Sequence, residues 1–193
     1  RHKMEHVGQN CDAPIEDICM TFGSVADSLI RHEYARRVDA PECMDLLHKA
    51  YDYNLVQCGE NVRNSVSFIC NCCGCCCEAL VAARKFGNLH PVETAGFLPV
   101  LDAESCIGCG KCEKVCQVEV IKMNEETGKK VPVIDEDLCL GCGLCVRSCP
   151  KNCLSLQRTG RKIITPSTSV HRVVLMAIEK GMLQELIFDN KAL

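Results

Sequence analysis

Eight of the 19 cysteines form two copies of one spacing, Cys-x2-Cys-x2-Cys-x3-Cys. The copies occupy residues 106–116 and 139–149. This spacing wraps three thiolates around one cuboidal iron–sulfur cluster and sends the fourth thiolate to a neighbouring cluster. The repeat therefore predicts two [4Fe–4S] clusters, which exchange one electron at a time.

Each predicted cluster takes its last ligand from the other copy of the motif. The ligands of the first cluster are then Cys106, Cys109, Cys112 and Cys149. The ligands of the second are Cys139, Cys142, Cys145 and Cys116. Zinc explains the pattern less well because it needs only four ligands. Disulfides within such short spacings would constrain very little of the chain.

Two residues beside the motifs depart from the repeat. Cys149 is followed by Pro150, whereas Cys116 is followed by Gln117. Glutamine restores the backbone N–H that proline lacks, so we expect altered hydrogen bonding near the second cluster. Cys153 aligns with a valine of the first copy. It is therefore predicted to be a packed apolar residue rather than a ligand.

A second group of cysteines forms the loop Cys-Asn-Cys-Cys-Gly-Cys-Cys-Cys at residues 70–77. Neighbouring side chains of extended backbone point to opposite faces, so Cys72 and Cys73 are not expected to bind one metal together. Cys75 completes a further Cys-x2-Cys spacing with Cys72. The candidate ligands of a third centre are Cys11, Cys19, Cys70, Cys72, Cys73, Cys76 and Cys77. We expect at least one further iron–sulfur cluster here, with zinc or unligated, packed thiols as alternatives.

The two motifs make residues 98–158 resemble the bacterial-type dicluster ferredoxins. This resemblance implies a ferredoxin-like βαββαβ module. Nearly the whole chain resembles a family of 4Fe–4S dicluster-domain proteins of anaerobic bacteria. Besides the motifs, the matching segments are 8–11 with Cys19, 69–77, 179–184 and 186–190. The resemblance implies a larger parent protein and no particular reaction, and we expect the chain to be a piece of a longer polypeptide.

Periodicity and turn signals outline the elements that carry these cysteines. They predict helices at 12–30, 39–51, 78–86 and 169–180, strands at 55–57, 66–69 and 162–164, and a linker at 91–99. The expected fold is α+β. Its expected parts are a cysteine-rich, mainly helical region over 1–97, the ferredoxin-like module over 98–158 and a helical C-terminal extension, cut short, over 159–193.

Composition limits the compartment and the partners. The net charge is −3 with acidic and basic residues interspersed, so no basic stripe predicts nucleic-acid binding. No apolar stretch is long enough to predict a transmembrane segment, and the first residues lack the apolar core of a signal peptide. Thiolate ligands need a reducing compartment, so a cytoplasmic protein of an anaerobe is expected.

One-electron transfer is the function that these patterns favour. We expect an iron–sulfur component that serves redox protein partners or a larger anaerobic oxidoreductase complex, with no catalytic side chain of its own. The first alternative is an oxidoreductase whose substrate reacts at a cluster held by the 70–77 loop. The second is a cluster-based redox regulator, since Arg31, Arg36 and Arg37 lie between two predicted helices.

Overall fold

The computed structural model describes residues 6, 8, 11–14, 16–87, 96–125, 128–160 and 165–188. The chain folds into two compact units, each assembled from separate stretches of sequence. The first comprises Arg1–Ile18, Ala40–Cys58 and Cys70–Arg161, and the second comprises Cys19–Asp39, Gly59–Ile69 and Lys162–Leu193. Both cysteine motifs and the whole 70–77 loop belong to the first unit. The division at 97/98 and 158/159 stays a prediction.

The N-terminal half alternates short strands and helices. Its elements are β1 (Met20–Thr21), α1 (Gly23–Arg31), α2 (Ala40–Asp52), β2 (Val56–Gly59), β3 (Phe68–Cys72) and α3 (Glu78–Lys85). The strands form one sheet in the order β1-β3-β2. Helix α2 begins where its acidic start signal predicts, and α3 ends just before Gly87.

The predicted helix over 12–30 differs most from the structure. It begins only at Gly23, because Met20–Thr21 pairs antiparallel with Phe68–Ile69. The Phe22 N–H extends this pairing by donating to the carbonyl of Ser67 at 2.8 Å. Sheet pairing thus overrides the local helical pattern. The expectation of a mainly helical N-terminal region is not confirmed, because the region mixes helices and strands.

The ferredoxin-like module has the expected βαββαβ order. Its elements are β4 (Phe97–Leu101), α4 (Lys111–Val115), β5 (Ile121–Asn124), β6 (Val131–Ile134), α5 (Leu144–Arg147) and β7 (Leu154–Arg158). Strands β4 and β7 pair antiparallel from Phe97↔Arg158 to Leu101↔Leu154, and β5 pairs antiparallel with β6. The predicted 91–99 linker overlaps β4, and residues 91–95 lie outside the described residues.

The two short helices of the module start from equivalent glycines of the repeat. Gly110 caps α4 with φ 70° and Gly143 caps α5 with φ 78°. Both backbones are left-handed, a conformation that glycine adopts without steric cost. Each glycine therefore lets the chain turn directly from the first two cysteines of a motif into the helix that carries the third.

The second unit contains α6 (Ser169–Glu179) and α7 (Leu183–Phe188). Helix α6 is joined to the 60–67 segment through the Glu60 carboxylate, which accepts hydrogen bonds from the Ser169 Oγ at 2.6 Å and from the Ser67 N–H at 3.0 Å. The Arg172 guanidinium lies 3.4 Å from the same carboxylate. The predicted strand at 162–164 falls outside the described residues. Within the part of the chain that is described, no helix is long and apolar enough to cross a membrane.

Candidate metal centres

Four cysteines from three segments of the module surround one cavity. They are Cys106, Cys109, Cys112 and Cys149, the expected ligands of the first cluster. Cys106 and Cys112 are buried, and apolar residues including Ile107, Met123 and Leu154 complete the wall. An apolar enclosure with four convergent thiols fits a [4Fe–4S] cluster, because such clusters are held by four Cys thiolates and shielded from water.

The second expected set also converges. Burial, then the neighbouring Cys142 and Cys139, raise the pKa of the Cys145 thiol to about 12, and Cys116 contributes to the same increase. Cys116 likewise raises the pKa of Cys139, after the larger effects of burial and Cys142. Cys116 also packs against the buried cluster that includes Leu140 and Leu144 of the second motif. Cys116 therefore lies beside the second motif although it ends the first.

Cys153 lies against the first of these sites. It is buried and lines the same cavity, and its Sγ is 3.3 Å from the Sγ of Cys149. The burial suits a packed apolar residue, which is the role that the repeat predicts. Because Cys153 lies so close to Cys149, substitution of each is needed to establish which of the two is the cluster ligand.

A third set of thiols is more compact. The sulfurs of Cys11, Cys73, Cys75 and Cys76 all lie within 4.8 Å of one another. The Cys11–Cys73 and Cys75–Cys76 pairs are 3.6 Å apart, and the Cys75–Cys11 pair is 3.5 Å apart. We call this the compact set. Among the described residues it is the only group of three or more possible ligands that is so tightly gathered.

The spacing of the compact set is that of ligands around a single ion. Four sulfurs bound at about 2.3 Å to a tetrahedral zinc ion are about 3.8 Å apart. The observed separations of 3.5 and 3.6 Å are close to that value. The zinc alternative therefore fits this set better than a cuboidal cluster, whose ligands must reach around four iron atoms and four sulfides.

One thiol of the compact set, that of Cys73, has a pKa below the ordinary value for cysteine. Burial opposes ionisation of Cys73, but hydrogen bonds from the thiols of Cys75 and Cys11 and from the Cys76 backbone outweigh it and lower its pKa to about 7. Burial, then Cys73 and Cys11, raise the pKa of Cys75 to about 11. One thiolate surrounded by thiol donors is the expected state of a tetrathiolate site before metal binding releases the remaining protons.

The structure does not gather all seven predicted ligands of the third centre at one point. Cys11, Cys73 and Cys76 join the compact set together with Cys75, which the sequence-based set omits. The turn at 74–76 brings Cys75 back towards Cys73, a reversal that Gly74 signals. Cys70, Cys72 and Cys77 lie outside the compact set, and Cys19 is exposed and belongs to the second unit.

Gln117, which replaces proline in the repeat, connects the loop to the module. The Gly74 N–H donates to the Gln117 Oε1 at 2.6 Å, and the Gln117 Nε2 donates to the carbonyl of Asn54 at 3.1 Å. The Arg147 Nη2 donates to the Asn54 Oδ1 at 2.8 Å, and its guanidinium lies 3.4 Å from the centre of the Tyr51 ring. The departure from proline therefore joins separate parts of the first unit.

Part of the chain is similar to known proteins. Residues 105–153 match the family described as the 4Fe-4S dicluster domain. Over 63 residues the chain is 35% identical to the ferredoxin-type protein NapG of Escherichia coli (strain K12). The aligned segment covers 31% of this chain and 27% of that protein. The NapG protein of Shigella flexneri is similar to the same extent. The chain therefore spans about a quarter of the length of these curated relatives.

The chain thus contains a 4Fe-4S dicluster domain, and the predicted resemblance to dicluster ferredoxins is confirmed. The domain match and the similarity to a ferredoxin-type protein support iron–sulfur electron transfer. The chemistry that such clusters supply is the uptake and release of single electrons. The protein's part is to hold them, exclude water and set their potentials.

Proposed function

We propose that this protein carries single electrons between redox partners as the iron–sulfur component of a larger oxidoreductase. The observation that carries the proposal is that the last cysteine of each motif lies beside the other motif. Cys149 lines the cavity of the first motif, and Cys116 packs against the buried cluster that includes Leu140 and Leu144 of the second. With one ligand crossing in each direction, the two clusters are held close together in one rigid module, as efficient electron transfer between them requires.

The predicted ligand sets form part of this proposal. Cys106, Cys109, Cys112 and Cys149 hold one cluster, and Cys139, Cys142, Cys145 and Cys116 hold the other. The buried thiols also resist ionisation in the absence of metal, because burial is the largest contribution to the raised pKa of Cys112, Cys139 and Cys145. Cluster binding is therefore coupled to proton release and to folding of the module.

The compact set is proposed to hold one zinc ion. Its four thiols are as many ligands as a tetrahedral zinc ion takes, so a bound ion would have no open position, as in structural rather than catalytic sites. This closed shell speaks against the alternative in which a substrate reacts at a metal bound by Cys11, Cys73, Cys75 and Cys76. An ion here would link the N-terminal segment to the 70–77 loop.

The compartment and the partners are proposed from the cysteines. Thiolate ligands of iron–sulfur clusters need a reducing compartment, so we propose the cytoplasm of an anaerobic cell. The partners are proposed to be redox proteins, because an electron carrier of this kind has no substrate of its own.

The proposal is tested on anaerobically purified protein. We expect about eight or more iron atoms and equal sulfide per chain, about one zinc, and a brown colour that bleaches on reduction. Reduced protein should transfer electrons to an oxidised viologen dye and regain its colour. A folded, colourless chain without iron would overturn the proposal. A spectral change on adding a candidate substrate, without a redox partner, would favour the enzyme alternative.

A further inference from the structure

We propose a further iron–sulfur site, formed by Cys58, Cys70, Cys72 and Cys77 and separate from the compact set. We call these residues the strand set, because three of them lie on β2 and β3. All four belong to the first unit. The strand set would bind a [4Fe–4S] cluster through four thiolates, beside the second cluster of the dicluster domain.

Strand geometry separates the strand set from the compact set. Cys70 and Cys72 lie two residues apart on β3, so their side chains leave the same face of the sheet. Asn71 points to the other face, where its Nδ2 donates to the carbonyl of Ile18. Cys73 continues on that second face and packs with Ile18 in another apolar cluster. The cysteine-rich loop therefore sends alternate thiols to two different places.

Packing brings the members of the strand set to one apolar surface. Cys58, Cys72 and Cys77 all pack against the same buried cluster, which includes Val56 and Leu80. Val56 and Cys58 share one face of β2, the strand next to β3 in the sheet. Each of these cysteines is partly buried, as ligands of a cluster at a protein surface would be.

The remaining cysteine closes the group from the helix side. Cys77 is the N-cap of α3, and its thiol hydrogen-bonds with that of Cys72. The positive end of a helix favours negative charge, which suits a thiolate ligand at this position. Cys58 lies on β2, the strand beside β3, and it packs against the same buried cluster as Cys72 and Cys77.

The width of the strand set favours a cluster over a single ion. Its sulfurs do not form one of the tightly gathered groups found in the described residues, whereas those of the compact set do. Neither of the dicluster sets forms such a tightly gathered group among the described residues. Four thiols that are not all in mutual contact leave room for a cube of iron and sulfide, whereas zinc would draw them together.

The buried cluster against which Cys58, Cys72 and Cys77 pack also includes Leu140 and Leu144. These two leucines lie on either side of Cys142, a proposed ligand of the second cluster, so the inference rests on the proposed function at this point. The strand set would extend the line of clusters from the dicluster domain towards the N-terminal region of the first unit. A cluster at this position would be magnetically coupled to its neighbour when both are reduced.

The test compares Cys58→Ala with Cys43→Ala in the full chain, prepared anaerobically. Cys43 lies on α2 and belongs to neither set. We expect about twelve iron atoms per native chain and in Cys43→Ala, falling to about eight in Cys58→Ala with zinc unchanged. Electron paramagnetic resonance of the fully reduced native protein should integrate to about three spins rather than two.

If Cys58→Ala does not fold, the iron and spin counts of the native protein still test for the additional cluster. About eight iron atoms and two spins in the native chain would overturn the inference and leave the proposed function intact. Unchanged iron in a folded Cys58→Ala variant would also overturn it. Zinc in place of the extra iron would overturn the cluster assignment, and a chain with no iron at all would overturn both proposals.

Discussion

The Gly74 N–H donates to the side-chain oxygen of Gln117 at 2.6 Å, and the two backbones approach so closely that a Cβ on Gly74 would collide with the Gln117 carbonyl. This contact joins the cysteine-rich loop to the dicluster domain. It explains two sequence features together, the single glycine within the run of cysteines and the glutamine that stands where the second motif has proline.

Replacing Gly74 with alanine should destabilise the first unit, because the buried backbone leaves no space for a methyl group. Forcing an extra carbon into a packed site costs about 1–3 kcal/mol. Urea unfolding under anaerobic conditions measures the loss. Gly160→Ala is the matched control, since a Cβ there would meet nothing within 4 Å. Equal stability of the two variants would contradict the importance of the contact.

Cys149 and Cys153 should respond differently to substitution, although their sulfurs are only 3.3 Å apart. We expect Cys149→Ala to lose about four iron atoms per chain, because a cluster held by three thiolates is readily lost. Cys153→Ala should keep its iron and lose only packing, at about 1 kcal/mol. Iron analysis and visible absorption distinguish the two. If Cys153→Ala lost iron and Cys149→Ala did not, Cys153 would be the ligand and Cys149 the packed residue.

Arg147→Lys should be less stable than the native protein by about 1–3 kcal/mol, although the charge is kept. The guanidinium both stacks on Tyr51 and donates to Asn54, and an ammonium group cannot reproduce that planar geometry. Thermal unfolding measures the difference.

Arg84→Lys provides the comparison for Arg147→Lys. Arg84 pairs with the more exposed Glu119 at 2.7 Å, and such surface pairs contribute no more than about 1 kcal/mol. If the two lysine variants lost the same stability, the stacking and the Asn54 hydrogen bond would not matter.

Glu60 should make the second unit sensitive to acid. Hydrogen bonds from Ser169 and then Ser67 hold the pKa of this carboxyl below its ordinary value, with a smaller contribution from Arg172. A depressed pKa stabilises the fold above the unfolded value of about 4.3, and this stabilisation disappears as the pH falls through the folded value. The effect is therefore fully present at neutral pH and is lost in acid.

Comparing Glu60→Gln with the native protein isolates this contribution. We expect the variant to have a lower Tm at pH 7 and a difference that shrinks as the pH approaches 4 and below. Glu185→Gln, at an exposed carboxyl of the same unit, is the control. A Tm difference between Glu60→Gln and the native protein that does not change with pH would show that the carboxylate charge is not responsible.

Much of the dicluster domain could be predicted because its determinants are local. The spacing of the cysteines specifies the loops, and Gly110 and Gly143 specify the turns. The βαββαβ order was expected from the resemblance to dicluster ferredoxins that these motifs carry. Helix α2 also follows from its own start signal. The helix predicted from residue 12 failed because Met20 and Thr21 pair with β3. Their partners are Ile69 and Phe68, which lie 49 and 47 residues away along the chain.

The sequence by itself determined the chemistry, because thiolates at fixed spacing leave few cofactors that fit. Only the tertiary structure decided how the remaining cysteines divide. Cys73 and Cys72 are adjacent in the chain, yet β3 turns them to opposite faces, one towards Cys11 and the other towards Cys77. Cys58 has no neighbouring cysteine in the sequence that would mark it. Its place beside Cys70 depends on the pairing of two strands, which no local pattern specifies.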